Sequence, residues 1–131
     1  MADLTQRDIY LLVNQANLEE KLLWFNGANL RGINLAGAQL AGADLRNATL
    51  LGVNMSSANL TNAKLNGANL TGTNLNNADL TGCNLEKANL ILANLLDAQL
   101  DGVKLLGATY NEDTIWPEGF NPQQAGARFT E

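Results

Sequence analysis

A large apolar residue stands at every fifth position from Leu30 to Leu105, sixteen times without a break, and fifteen of the sixteen are leucine. Two residues before each is a small one: alanine in eleven cases, otherwise Ile33, Val53, Thr73, Cys83 or Val103. The residue between them is always polar, Asn in nine of sixteen, and the second residue after each leucine is Gly nine times and Asn three times. An α-helix turns about 100° per residue, so a five-residue step would smear these leucines around the cylinder. A straight strand inverts side chains at every odd step and would leave every second leucine in water. A chain that runs extended for three residues and then bends satisfies the pattern. The small residue and the leucine point inward, the residue between points outward, and the next two turn the corner, where Gly and Asn tolerate positive φ.

Bending repeated in one sense gives a coil whose successive turns stack as parallel ladders, a solenoid with a narrow, fully packed interior. The stretch "GANLRGINLAGAQLAGADLRNATL" resembles the A-(D/N)-L-x-x signature of the pentapeptide-repeat family, in particular short cyanobacterial members, over about Ala28 to Ala108. The resemblance implies an all-β solenoid, a right-handed quadrilateral β-helix in which four repeats make one square turn. Sixteen repeats then make about four coils. Met55 in a leucine position, and Ile33, Val53 and Val103 in small positions, read as local repacking.

The ends depart from the beat. Residues 1–26 are expected to form an N-terminal helical cap: Thr5 and Asp8 resemble a helix start, and Ile9, Leu12, Val13 and Ala16 follow helical spacing. Ala16-Asn17-Leu18 imitates a repeat, but Leu18 is out of phase with Leu30. Residues 27–109 are the β-helix, and 110–131 a closing segment in which Tyr110 takes a leucine position and Trp116, Phe120 and Phe129 bring aromatic bulk. A short helix is expected after Pro122. Both ends are read as caps over strand edges and core, one structural domain in all.

The chemistry is mostly exclusion. There is no histidine and one cysteine, which removes His-dependent nucleophilic catalysis, disulfides and His or Cys metal clusters; no cofactor or metal is expected, and no enzyme. Cys83 sits in a small inward position and reads as core. Asn34, Asn54, Asn74 and Asn94 share one face if a coil is twenty residues, a polar column open to a sugar- or ice-binding reading or simply favoured by the repeat. No stretch is long and apolar enough for a membrane helix, and the opening residues make a poor signal peptide, so a cytoplasmic location is expected. Basic residues are few and scattered, against nucleic-acid binding.

The resemblance also raises the family's DNA-mimicking, topoisomerase-directed members. From Gly27 to Tyr110, however, Asp44, Asp79, Glu86, Asp97 and Asp101 are balanced by Arg31, Arg46, Lys64, Lys87 and Lys104, so the net −5 of the chain comes from its ends. The favoured reading is a non-enzymatic interaction or structural module with an unidentified protein partner, a monomer or weak homodimer, with DNA mimicry the alternative. One asymmetry points to a surface: Ile91, Leu92, Leu96 and Leu106 crowd apolar residues into outward corner positions late in the coil. Either the aromatic tail folds over part of them or they form an interaction patch.

Overall fold

The computed structural model describes residues 5–7 and 24–131. The inward–outward alternation is met throughout the repeats: Leu45, Leu50, Met55, Leu60 and Leu65 are fully buried beside Ala43, Ala48, Val53, Ala58 and Ala63. Each corner is a turn closed by the small residue's N–H onto the carbonyl of the leucine three before it, as from Ala63 to Leu60 at 2.9 Å. The third residue of every such turn, from Gly27 to Gly107, has φ between 59° and 75°, the pattern of a type II turn. Nine of those positions after Leu30 are glycine because only glycine enters this region without steric cost.

Residues twenty apart pair in parallel, from Trp24 with Asp44 to Asn89 with Thr109. Four faces result. The first carries Trp24, Asp44, Lys64, Asn84 and Lys104, the second Asn29, Thr49, Asn69, Asn89 and Thr109, the third Asn34, Asn54, Asn74 and Asn94, and the fourth Gln39, Asn59, Asp79 and Gln99. Two or three backbone hydrogen bonds join successive coils along each face. On the fourth, the Asp79 N–H donates to the Ala58 carbonyl (2.9 Å), the Leu60 N–H to the Asp79 carbonyl (2.8 Å), and the Asn62 N–H to the Thr81 carbonyl (2.8 Å). The ladder includes Trp24 and Phe25, on the N-terminal side of the expected boundary at 27, with Phe25 buried in a leucine position. The rest of the expected helical cap, 8–23 with 1–4, lies outside the described residues. Of the cap, Gln6 is placed against the first coil: its side-chain amide donates to the Asn34 carbonyl (2.9 Å) and accepts from the Asn34 N–H (2.5 Å). A side chain there does what a neighbouring strand would do.

At the other end the beat breaks but the ladder goes on. Thr109–Tyr110 (β1) pairs in parallel with Arg128–Phe129 (β2), and Ile115 pairs with Asn94 twenty-one residues earlier, so the closing segment holds one extra residue. That residue is absorbed at the Asn111–Thr114 turn, where Thr114 takes the inward small position and donates its hydroxyl to the Leu90 carbonyl (2.8 Å). Thr73 makes the same bond to the Leu50 carbonyl inside the regular coil (2.9 Å). Tyr110, Trp116, Phe120 and Phe129 form an aromatic cluster over the core, Tyr110 meeting Trp116 and Phe129 edge to face and Trp116 stacking on Phe120, with centroids of each pair 5.3–5.6 Å apart. Trp116 leaves its buried indole N–H without an acceptor. The expected helix after Pro122 is a turn only: the Ala125 N–H reaches back to the Asn121 carbonyl and the Gly126 N–H to that of Gln123, and the Gly126 carbonyl then accepts from the Gly107 N–H. The chain has too few residues there to both wind a helix and return to the second face as β2.

Candidate functional site

The corner residues expected to form a patch do not all meet. Ile91 and Leu92 stand at the corner between the second and third faces, Leu96 at the corner between the third and fourth, and Leu106 at the diagonally opposite corner from Leu96. Leu92, Leu96 and Leu106 are exposed, at 50%, 42% and 67%, while Ile91 is half-buried. The aromatic tail does not cover them. Its rings lie over the end of the core, because the ladder pairing of Ile115 turns the following Trp116 inward. Ile115, 46% exposed, lies over Asn94 between the Leu92 and Leu96 corners and was not expected from the sequence. The inserted residue hides its register. The third face therefore ends in an apolar strip of Leu92, Ile115 and Leu96, with Leu106 apart from it.

Leu92 is unusual in a second way. Gly32, Gly52 and Gly72 occupy the same corner position in earlier coils, and Leu92 replaces them at φ 63°. A leucine in left-handed conformation costs roughly 1–2 kcal/mol over glycine, and here it also exposes an isobutyl group. Half of the side chain stays exposed, while the Leu92 N–H donates to the Asn111 Oδ1 of the closing segment (3.2 Å).

The asparagine columns have a structural task. Asn34, Asn54, Asn74 and Asn94 each accept, through Oδ1, the N–H of the residue two further on, at 3.0 Å, and Asn59, Asn69 and Asn89 do the same on other faces. These Asx turns satisfy a corner N–H that the ladder leaves over. The favoured outward Asn is thus explained by the bend itself.

Charges are few and mostly solvated. Arg46 and Asp44 form a two-pronged pair at 2.8 and 2.9 Å, and that hydrogen bond holds the Asp44 carboxyl below its ordinary value of 3.8. The Thr81 hydroxyl and N–H lower Asp79 likewise. Cys83 is buried, and burial pushes its thiol up to about 12, which leaves no thiolate for chemistry at neutral pH. Among the described residues there is no cluster of metal-ligating side chains, and no helix is long and apolar enough to cross a membrane.

The sequence profile of the pentapeptide repeats, eight copies long, matches residues 25–62, 38–77, 54–90 and 68–107. Comparison with curated proteins gives no match. Among solved structures, the chain is similar to the pentapeptide repeat protein Rfr23 of the cyanobacterium Cyanothece 51142. That match has 43% identity and TM-score 0.69, over 72% of this chain and 63% of that one. It is similar to HetL of the cyanobacterium Nostoc, described as involved in heterocyst differentiation regulation, at 36% identity and TM-score 0.61, over 67% of this chain and 44% of HetL. A pentapeptide repeat protein of the Arabidopsis thaliana thylakoid lumen aligns at 26% identity and TM-score 0.59, over 79% of this chain and 71% of that one. The chain thus spans less than two thirds of the two cyanobacterial proteins. With the profile covering most of the chain and its square, twenty-residue coils matching these structures, the protein belongs to the pentapeptide-repeat family, whose members are right-handed quadrilateral β-helices.

Proposed function

We propose that this protein works without catalysis, as a cytoplasmic module that binds a protein partner through the C-terminal end of its third face. The observation that carries the reading is Leu92: a leucine where three earlier coils have glycine, strained and half in water, beside exposed Ile115 and Leu96. Residues kept at such a cost at a surface are more often functional than structural. An exposed apolar strip with a polar surround is the ordinary form of a protein-binding core. HetL, involved in differentiation regulation, carries the same fold, and a regulatory role exercised through contact is compatible with a coil that has no catalytic groups.

The test exploits the strain. Leu92→Gly should stabilise the fold, read as a higher denaturation midpoint, and should weaken capture of the partner from host lysate. Adding Leu96→Ser and Ile115→Thr should abolish capture with the circular dichroism of the coil unchanged. A partner held equally by wild type and triple variant overturns the proposal. Topoisomerase-directed mimicry is not favoured, because acids and bases cancel along the coil; the expected result in a supercoiling assay is no inhibition.

A further inference from the structure

The last coil is closed on two faces and open on the other two. On the second and third faces, β2 and Ile115 take up the upward-pointing groups of the coil below. On the fourth face, each coil makes three bonds to the next: residues 38, 40 and 42 with 59 and 61, residues 58, 60 and 62 with 79 and 81, residues 78, 80 and 82 with 99 and 101. The corresponding groups of the final coil, the Ala98 carbonyl and the N–H groups of Leu100 and Gly102, have no partner among the described residues. The tail bypasses this edge, because it turns at Pro117–Phe120 and crosses to Gly126, which sits against Leu106. Gln99, Asp101 and Gly102 are exposed and Leu100 is half-buried, while Ala98 is buried, so the edge is open to solvent chiefly from Gln99 to Gly102.

The charges around this edge have one sign. Asp79 lies beneath Gln99 on the same face, Asp97 stands at the corner before it and Asp101 at the corner after it, and the fourth face and its two corners carry no base. Arg46, Lys64, Lys87 and Lys104 all lie on the first face or its far corner, and Arg31 lies at the corner between the second and third faces. Among the described residues, neither Asp97 nor Asp101 is paired with a cation.

We propose that the free edge Ala98–Gly102 is a docking site for an extended, basic peptide segment, added as one more parallel strand. The edge fixes the register. One peptide residue, seated over Gln99, donates its N–H to the Ala98 carbonyl and accepts from the Leu100 N–H, and the residue two further on accepts from the Gly102 N–H. Side chains in a parallel ladder stack directly, so the residues two before and two after the central one lie over Asp97 and Asp101, and these are the basic ones. Main-chain bonds supply the affinity and the two carboxylates the selection. The site shares no residue with the strip of Leu92, Ile115 and Leu96, so it stands or falls separately from the function proposed above.

The experiment uses the full chain, labelled with nitrogen-15, titrated with acetyl-Lys-Ala-Thr-Leu-Lys-amide while amide resonances are followed. The expected result is a saturating downfield shift of the Leu100 and Gly102 amide protons, with the second and third faces unmoved. The Glu-Ala-Thr-Leu-Glu counterpart should bind at least about tenfold more weakly. A peptide N-methylated at the central Thr, which cannot donate to Ala98, should lose the Leu100 and Gly102 shifts. Asp97→Asn with Asp101→Asn keeps the edge, suits the left-handed corner at Asp97 and should weaken the basic peptide severalfold. Unmoved Leu100 and Gly102 at saturating peptide, or an N-methylated peptide that binds as well, would overturn strand addition. So would shifts of the same amides with protein concentration alone, which would mean that a second copy of the chain takes the edge.

Discussion

The regular coil and the closing segment build the same ladder from different materials. Between Ala28 and Leu95 nearly every inward position is a small residue or a leucine, and corners fall every five residues. Between Thr109 and Phe129 the inward positions are Tyr110, Thr114 and Trp116, a turn is one residue longer, and two faces are skipped. The parallel bonds continue wherever the segment returns to a face. The ladder therefore demands backbone position, and the five-residue beat is the cheapest way to supply it many times over. Aromatic residues are what a single, final layer uses, because a ring spans the end of a core that no further leucine covers.

Core truncation should separate the two regions most sharply. Leu65→Ala, in a site with no room to collapse, should cost about 3–4 kcal/mol in denaturant unfolding, and Phe129→Ala, half-exposed, about 1–2 kcal/mol. Equal losses would mean that the end of the coil is as tightly built as its middle. The corners come next. Gly67 lies at φ 73° with an added Cβ only 2.2 Å from the Asn47 Oδ1 of the coil below, whereas Gly37 has open space around it. Gly37→Ala should cost about 1 kcal/mol of backbone strain. Gly67→Ala should cost measurably more, with the excess removed when Asn47→Gly is added. A cycle with no coupling would show that the Asn47 side chain simply swings aside.

Thr73 and Thr114 offer a matched pair, one buried hydroxyl donating to a leucine carbonyl in each region. Thr→Val at either should cost about 1 kcal/mol. A cost at Thr73 alone would sharpen the comparison, since it would place the closing segment outside the cooperative unit. The smallest effect belongs to Asp79. Its carboxyl is held below its ordinary value of 3.8 by Thr81, so its contribution is present above that value and lost as pH falls through the lower folded value. Asp79→Asn should therefore be slightly less stable than wild type at neutral pH, the difference vanishing in acid, and its acid unfolding should begin at a slightly higher pH; equal stabilities at neutral pH would show the bond to be worth nothing in solution.

The coil was legible because the period alone rules out helix and straight strand, and Gly at one phase marks the bends. The outward Asn was equally visible, but its reason was not, since an Asx turn depends on where the next corner N–H points. Ile115 was hidden by one inserted residue in a segment without repeats to count against. Leu92 was picked out as apolar, yet its strain appears only when its corner is aligned with Gly32, Gly52 and Gly72. Leu106 looked like a neighbour of Leu96 because sequence proximity within one coil says nothing about diagonals. The open fourth-face edge follows from the path of the tail, which no local pattern encodes.

The square coil also behaves as a gear. Adding or removing five residues within the repeats would rotate everything downstream by a quarter turn relative to everything upstream, while leaving every leucine inside and every corner intact. Only a change of twenty restores the original phase, and with it such couplings as Gly67 over Asn47. In a lineage of such chains, length is therefore also an angular setting. Inserting a single repeat re-aims the strip at Leu92 and the edge at Ala98 toward a new azimuth without redesigning either.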